Sequence, residues 1–150
     1  MTRQMTIESG ASPRPTPQID ATNKPYFDAI RQNSFQLQQC RGCRSFVFFP
    51  RAACPNCLSP DFDWVEVDGH GVVHSFAVVQ RPHHPAFYGD VPIVFAAVKL
   101  PEGPTVLAEI RGTDPAEVQI GMPVRVDFVS LDERIAIPVW VSALTSRDSA

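Results

Sequence analysis

The chain has 150 residues, of which 44% are hydrophobic, and a formal net charge of −3 at pH 7. This length suits one domain, or a small module joined to a domain, and its 15 prolines favour strands and turns over a helical bundle. The mildly acidic balance argues against tight binding to duplex nucleic acid, which requires a basic face.

No segment of the sequence resembles a membrane span or an export signal. The longest apolar runs are far shorter than the roughly 18 residues that a spanning helix needs. The first 20 residues lack the apolar core of a secretory signal. We therefore expect a cytoplasmic protein without a membrane segment, in a compartment that keeps thiols reduced.

The chain begins with a proline-rich stretch and continues with one helix. Residues 1–21 contain prolines, Ser, Thr and Gly with few large apolar side chains, so a flexible tail is predicted. Tyr26, Phe27 and Ile30 then recur at helical spacing and predict a helix over residues 24–32. Asn23 is the expected N-cap of this helix.

Four cysteines follow in the pattern C-x2-C-x10-C-x2-C. They are Cys40, Cys43, Cys54 and Cys57. Two C-x2-C turns joined by a short hairpin present four thiolates as a tetrahedron, the usual arrangement around Zn²⁺. Two disulfides or a redox dithiol are the alternatives, but reduced thiols disfavour the first and one dithiol would suffice for the second. Four sulfur ligands leave no open position, so the predicted zinc is structural.

Strands are predicted on both sides of the cysteines. An alternating pattern begins at Phe35 and leads into the first pair, residues 46–49 form a return strand, and Phe62 and Trp64 mark a third strand. An Asp-Gly turn signal at Asp68 follows. The helix and these strands make up the first predicted module, residues 22–67.

The second predicted module, residues 68–145, is entirely β apart from one short helical stretch. Its strands are expected over residues 72–80, 93–100, 105–111, 124–131 and 136–143. The helical stretch, over residues 114–118 and capped by Thr113, lies between the third and fourth strands. This is the element order of a five-stranded OB-fold barrel, although an open sandwich or another small barrel has a similar pattern.

Four segments resemble the zinc-ribbon and OB-fold family called DUF35. They are KPYFDAI at residues 24–30, LQQCRGCRSFVFFPRAACPNC at 37–57, FDWVEVDGHGVVHSFAVVQRPHHPAF at 62–87 and GMPVRVDF at 121–128. The most specific parts are the four cysteines, the Phe-Pro-Arg sequence at 49–51 and the Gly-Met-Pro turn at 121–123. The resemblance implies a mainly β fold, with an N-terminal helix, a rubredoxin-like zinc ribbon and an OB-fold barrel.

The resemblance also implies a function for the chain. Members of the family are small accessory subunits of thiolase-like proteins that act on acyl-CoA thioesters. Their partners include thiolases, acyltransferases, hydroxymethylglutaryl-CoA synthase and the retro-aldolases of steroid side-chain breakdown. The barrel is expected to contact such a partner and to help enclose the acyl-CoA site.

The residues themselves indicate little independent chemistry. No Ser-His-Asp arrangement is legible, and the metal accounts for every cysteine. We therefore predict no catalytic residue in this chain and expect the reacting groups on the partner. A single-stranded nucleic-acid binder is one alternative, disfavoured by the presence of only two lysines but kept open by eleven arginines. A stand-alone acyl-CoA-binding module is another.

Residues 81–92, RPHHPAFYGDVP, are the most distinctive loop of the second module. Three prolines lower the entropy cost of ordering it, and aromatic side chains often anchor interfaces. We expect the loop to contact the partner or the acyl-CoA, with its basic side chains near a phosphate or carboxylate. An ordinary exposed connection is the alternative. The expected contact residues are Arg81, His83, His84, Phe87 and Tyr88.

Overall fold

The computed structural model describes residues 5–6 and 14–144, and these include one α-helix and nine strands. The elements are β1 (Met5–Thr6), α1 (Lys24–Arg31), β2 (Gln36–Cys40), β3 (Phe46–Val47), β4 (Phe62–Glu66), β5 (His70–Val79), β6 (Ile93–Lys99), β7 (Thr105–Arg111), β8 (Pro123–Ser130) and β9 (Ala136–Ser142). Two short 3₁₀ helices, Pro85–Phe87 and Pro115–Glu117, lie in the connections before β6 and β8. No helix among the described residues has the length and apolar character needed to cross a bilayer.

The ribbon is a three-stranded antiparallel sheet with β2 in the centre, between β3 and β4. The predicted return strand over residues 46–49 is wrong in length, because β3 ends at Val47. Phe48 and Phe49 leave the sheet and pack edge-on against Tyr26 of the helix, with ring centroids at 6.0 and 5.6 Å. Contact of these rings with the helix replaces continued strand pairing.

The other five long strands close into a barrel. They pair in the order β8-β5-β6-β7-β9, and β9 pairs again with β8. All these pairs are antiparallel except β7 with β9, which are parallel. The predicted five-stranded OB-fold is therefore confirmed and the open-sandwich alternative is wrong. Closure leaves these apolar strands without free edges.

Both predicted helix caps differ in detail from the structure. Asn23 lies at the start of α1 but makes no side-chain cap. Its amide instead accepts from the Asp20 N–H at 2.8 Å and donates to the Gln18 carbonyl at 3.0 Å. The predicted cap at Thr113 is wrong, since Asp114 caps the short 3₁₀ helix by accepting from the Ala116 N–H at 2.9 Å. A side-chain carboxylate directly before a proline suits that position.

One continuous hydrophobic core joins the helix, the inner end of the ribbon and the barrel. Tyr26 and Ile30 of α1, Phe35 before β2 and the fully buried Trp140 of β9 belong to it. The Phe35 and Trp140 rings meet edge to face at 6.4 Å. A separate small cluster surrounds the buried Cys40 and Cys54 sulfurs with Val47 and Phe62. The cysteine end of the ribbon therefore has little hydrophobic support of its own.

The segment before the helix contacts the barrel loop. Residues 14–20 have no regular secondary structure. The Arg14 guanidinium lies 5.0 Å from the Phe87 ring centroid and forms an ion pair with Asp90. Of the tail predicted over residues 1–21, residues 1–4 and 7–13 lie outside the described residues, as does residue 145 at the predicted end of the second module.

Candidate metal centre and neighbouring surfaces

The four cysteine sulfurs converge at the outer end of the ribbon. Cys40 Sγ lies 3.5 Å from Cys57 Sγ, and Cys43 Sγ lies 3.6 Å from Cys54 Sγ. All four sulfurs lie within 4.8 Å of one another. A tetrahedral site with Zn–S bonds of about 2.3 Å requires sulfurs about 3.8 Å apart, whereas a disulfide would bring two of them to about 2.05 Å. The geometry therefore fits a metal ion held by four thiolates.

Two backbone turns of the same shape position the ligands. In each turn, a main-chain N–H points at the first sulfur of the pair: Gly42 N lies 3.3 Å from Cys40 Sγ, and Asn56 N lies 3.4 Å from Cys54 Sγ. Such N–H donors stabilise negative charge on sulfur. The first cysteine of each pair is buried and the second is exposed, so the centre lies at the edge of the ribbon.

The thiols differ in acidity. The backbone N–H of Cys43 is the main cause of a lowered pKa at Cys40. The Ser45 hydroxyl, 3.3 Å from Cys43 Sγ, lowers the pKa of Cys43 to about 6. At Cys57 the Ser59 N–H acts in the same direction, but hydrogen bonding to the Cys40 sulfur, partial desolvation and the other two thiols outweigh it and raise the pKa to about 11. Two ligands thus favour the thiolate, and a bound cation would displace the proton that Cys57 retains.

The loop over residues 81–92 contains a capped 3₁₀ turn, and several of its side chains are exposed to solvent. His84 Nδ1 accepts from the Ala86 N–H at 3.1 Å and caps the first 3₁₀ helix. The His84 ring also meets Phe87 edge to face at 5.9 Å, and Phe87 is half-buried. Arg81, His83 and Tyr88 are exposed. Of the five predicted contact residues, His84 and Phe87 thus belong to the turn itself. The other three lie on its outer surface.

An apolar cleft lies between the helix, the ribbon and the outer face of the barrel. Its volume is about 490 Å³. We call this the apolar cleft; its lining residues are Arg14, Pro15, Pro17, Tyr26, Phe27, Phe48, Phe49, Val79, Pro82, Phe87, Ile93, Phe95, Leu107, Ala108, Glu109, Arg111, Leu131, Ile137 and Pro138. Phe87 is the one residue of the predicted loop contacts that lines it.

The cleft was not predicted, although the sequences of β6 and β7 carry a signal for it. Phe95 and Leu107 point outward from the barrel and remain 48% and 66% exposed. A strand that faces water on one side normally alternates apolar and polar residues, but β6 reads Ile-Val-Phe-Ala-Ala-Val-Lys. Apolar residues on both faces of a barrel strand indicate that its outer face also makes apolar contacts, as it does in the cleft.

The comparisons with known proteins agree with this architecture. The family model for the ChsH2 rubredoxin-like zinc ribbon domain matches residues 27–63, and the model for the ChsH2 C-terminal OB-fold domain matches residues 64–129. A solved structure named Ltp2-ChsH2(DUF35) aldolase superposes with a TM-score of 0.76 and is 37% identical, and the match covers 85% of this chain and 99% of that chain. The chain belongs to the DUF35 family. The resemblance drawn from the cysteines and flanking motifs is confirmed.

Two curated relatives are longer than this DUF35 chain. The probable enoyl-CoA hydratase alpha subunit of Thermomonospora curvata is 37% identical over 136 residues, which are 91% of this chain and 42% of the relative. The 3-oxo-4,17-pregnadiene-20-carboxyl-CoA hydratase alpha subunit of Mycobacterium tuberculosis is 34% identical over 108 residues, 72% of this chain and 34% of the relative. The DUF35 chain thus spans less than half the length of each.

Proposed function

We propose that this DUF35 chain is a non-catalytic accessory subunit of a heteromeric enzyme acting on carbon–carbon bonds of acyl-CoA thioesters. In this proposal a thiolase-like partner performs retro-aldol or thiolytic chemistry, and the barrel helps to form or close the acyl-CoA site. The main support is the 37% identity to a chain of a structure named Ltp2-ChsH2(DUF35) aldolase, a match that covers 99% of that chain. The CoA-related names of the two hydratase relatives support the substrate class.

The side chains of the described residues are consistent with catalysis by the partner. Thiolytic chemistry needs a free nucleophilic thiol, and retro-aldol cleavage needs a positioned acid or base. All four cysteines converge on the metal centre. All four histidines are exposed, and His84 is engaged in capping its own loop. In this proposal the acid, base or nucleophile comes from the partner, and this chain serves as a scaffold.

We also propose that the metal is Zn²⁺ and that its role is structural. Four sulfur donors suit zinc in a closed tetrahedral site, and the matched ribbon family is named for zinc. The four cysteines converge as thiols rather than as disulfides, which suits a reducing cytoplasm as the place where the chain works.

The outer surface of the loop over residues 81–92 is the proposed partner contact. Tyr88 is 58% exposed, and Arg81 and His83 are exposed beside the 3₁₀ turn that His84 caps. A turn already fixed by the His84 cap loses little entropy when a partner binds. In this arrangement Tyr88 is the apolar anchor and the basic side chains meet a phosphate, a carboxylate or an acidic partner residue. The apolar cleft beside this loop and the net charge of −3 give no support to nucleic-acid binding.

The test is reconstitution with any thiolase-like protein encoded next to the gene for this chain, and otherwise with the Ltp2 protein named in the matched structure. We expect co-purification as a complex by size-exclusion chromatography with light scattering. Acyl-CoA cleavage is expected only when both proteins are present. The double variant Arg81→Ala/Tyr88→Ala should weaken the complex about tenfold or more. Ile120→Ala, which alters a 71% exposed residue outside the loop and the cleft, should not. Absence of any complex at micromolar concentrations, or full activity of the partner alone, would contradict the proposal.

A further inference from the structure

The apolar cleft has mainly apolar walls and a few polar side chains. The outward side chains Phe95 and Leu107 form the barrel wall, and Phe48 and Phe49 form the ribbon wall opposite. The Tyr26 ring packs edge-on against both phenylalanines of this wall. A volume of about 490 Å³ is within the range of roughly 300–1,000 Å³ seen for small-molecule sites.

The polar side chains that line the cleft are two arginines, one glutamate and the Tyr26 phenol. Arg111 donates to Glu109 Oε2 at 3.1 Å, and Arg14 pairs with Asp90 outside the cleft. The Nε atoms of both arginines are buried and have no hydrogen-bond partner within the part of the chain that the structure describes. A buried N–H donor without an acceptor is costly, and a charge-assisted bond to an anion is the strongest way to satisfy it.

We propose that the apolar cleft binds a small amphipathic molecule with an extended apolar body and one anionic group. The body would lie between the barrel and ribbon walls, and the carboxylate or sulfonate group would accept from the unpaired arginine N–H groups. Each lining arginine is already paired with one carboxylate, Asp90 or Glu109, so the preference for an anion rests on their unpaired Nε–H groups, which can only donate. The cleft lies wholly within this chain, and the inference does not depend on the proposed partner.

The test is displacement of a fluorescent probe from the full chain with zinc present. The probe is 1-anilinonaphthalene-8-sulfonate, which carries two ring systems and one sulfonate. Decanoate and decanol then compete for the site, since they share an apolar body and differ in the anionic group. We expect decanoate to displace the probe at about a tenfold lower concentration than decanol.

Two variants and one control locate the binding site. Leu107→Asp adds a negative charge to the exposed barrel wall and should weaken probe binding about tenfold. Ile120→Asp adds the same charge at a 71% exposed position outside the cleft and should leave binding unchanged. The double variant Glu109→Gln/Arg111→Gln removes both charges of one ion pair, so that no carboxylate is left unpaired. It should reduce the preference for decanoate to about twofold.

Several results would overturn the inference. These are no saturable probe binding to the native chain, equal displacement by decanoate and decanol, or equal effects of Leu107→Asp and Ile120→Asp. Measuring partner binding with the same variants separates the two proposals. If Leu107→Asp abolishes the complex while decanoate fails to compete with the probe, the cleft is a protein contact and the small-molecule site is refuted. If probe binding behaves as expected and no partner binds, the site stands and the accessory role fails.

Discussion

Gly71 lies where strand β5 passes closest to β6. A Cβ atom built at this position would lie 2.4 Å from the Lys99 carbonyl oxygen and 2.8 Å from Val98 Cγ1. The first of these is a backbone atom, so a side chain could not be accommodated by a simple rotamer change. Gly71 also pairs with Val124 of β8. The absence of a side chain here lets β5 lie between its two neighbours and close the barrel.

Substitution of Gly71 by alanine should destabilise the barrel by about 1–3 kcal/mol, the usual cost of overpacking. Gly89→Ala is the matched control, because a Cβ there would have no heavy atom within 4 Å. Urea denaturation of both variants, followed by tryptophan fluorescence, measures the difference. Equal midpoints for the two variants would contradict the close approach described for Gly71.

Residues whose role depends on local spacing could be predicted from the sequence. The four metal ligands follow from the C-x2-C pairs, since ligand geometry within a turn is fixed over four residues. The left-handed backbone at Arg44 and Leu58, with φ of 65° and 64°, could not be predicted from the sequence. Residues of both types usually avoid this conformation. Asn23 is the N-cap of α1 as predicted but makes no side-chain cap, whereas the cap predicted at Thr113 is at Asp114. Several nearby polar side chains could fill each position, and the surrounding chain decides between them.

Helix α1 joins the ribbon to the barrel. It contacts β2 on one side and β8 and β9 on the other. Ile30 is fully buried on the inner face of the helix, whereas Lys24 pairs with Asp28 on the solvent side. Eight residues are too few for a stable isolated helix. Packing of this apolar face, rather than helix propensity, must therefore hold α1 in place.

Ile30→Ala should reduce the free energy of unfolding by about 2–5 kcal/mol, since it removes buried carbon and leaves a cavity between helix and barrel. Lys24→Ala breaks only an exposed i,i+4 ion pair and should cost about 0.5 kcal/mol or less. Thermal unfolding by circular dichroism compares the two variants. A loss of similar size in both would mean that the helix does not pack as the structure shows.

At the level of elements, the hydrophobic periodicity was sufficient to predict the barrel strands but not the strands of the ribbon. The barrel strands alternate or run apolar over seven or more residues, which gives a clear signal. The aromatic run at residues 46–49 fits the pattern of a continuous strand. The tertiary contact of Phe48 and Phe49 with Tyr26 lies outside the sheet and is not visible in that pattern. The apolar cleft needs the same tertiary information, because its walls come from segments far apart in sequence.

Across the whole molecule, stability is unevenly distributed between the barrel and the metal end of the ribbon. The main core includes the barrel, the helix and the inner ribbon, whereas the cluster at the cysteines consists of three buried residues and Phe62. Zinc contributes on the order of 10–16 kcal/mol to the folding of small zinc-finger peptides. The outer ribbon should thus depend on the ion, and the barrel should not.

Acidification should release the metal while the barrel remains folded. Metal-bound cysteines are thiolates, so the metal-bound state carries fewer protons than the metal-free state, and its stability falls as pH falls. Zinc content after dialysis at decreasing pH measures the release, and far-ultraviolet circular dichroism reports the barrel. Zinc retained under conditions that unfold the barrel would contradict this order of events.

Removal of zinc by a chelator at neutral pH should unfold the ribbon locally rather than the whole chain. Without the ion, four sulfurs within 4.8 Å of one another lose their common ligand, and the small cluster around Val47 cannot hold the turns together. Hydrogen exchange with mass spectrometry should show lost protection over residues 38–60. Protection in β6 and β7, which pair on both sides within the barrel, should persist.

The matched control for chelation is the fully loaded protein, whose metal content should be one zinc ion per chain by elemental analysis. Cys54→Ser should reproduce the chelated pattern without a chelator, because it removes one buried ligand. Protection retained across residues 38–60 after chelation would mean that hydrophobic contacts alone fold the ribbon. Simultaneous loss in β6 and β7 would instead show that ribbon and barrel unfold as one cooperative unit, through the core that Phe35 and Trp140 share.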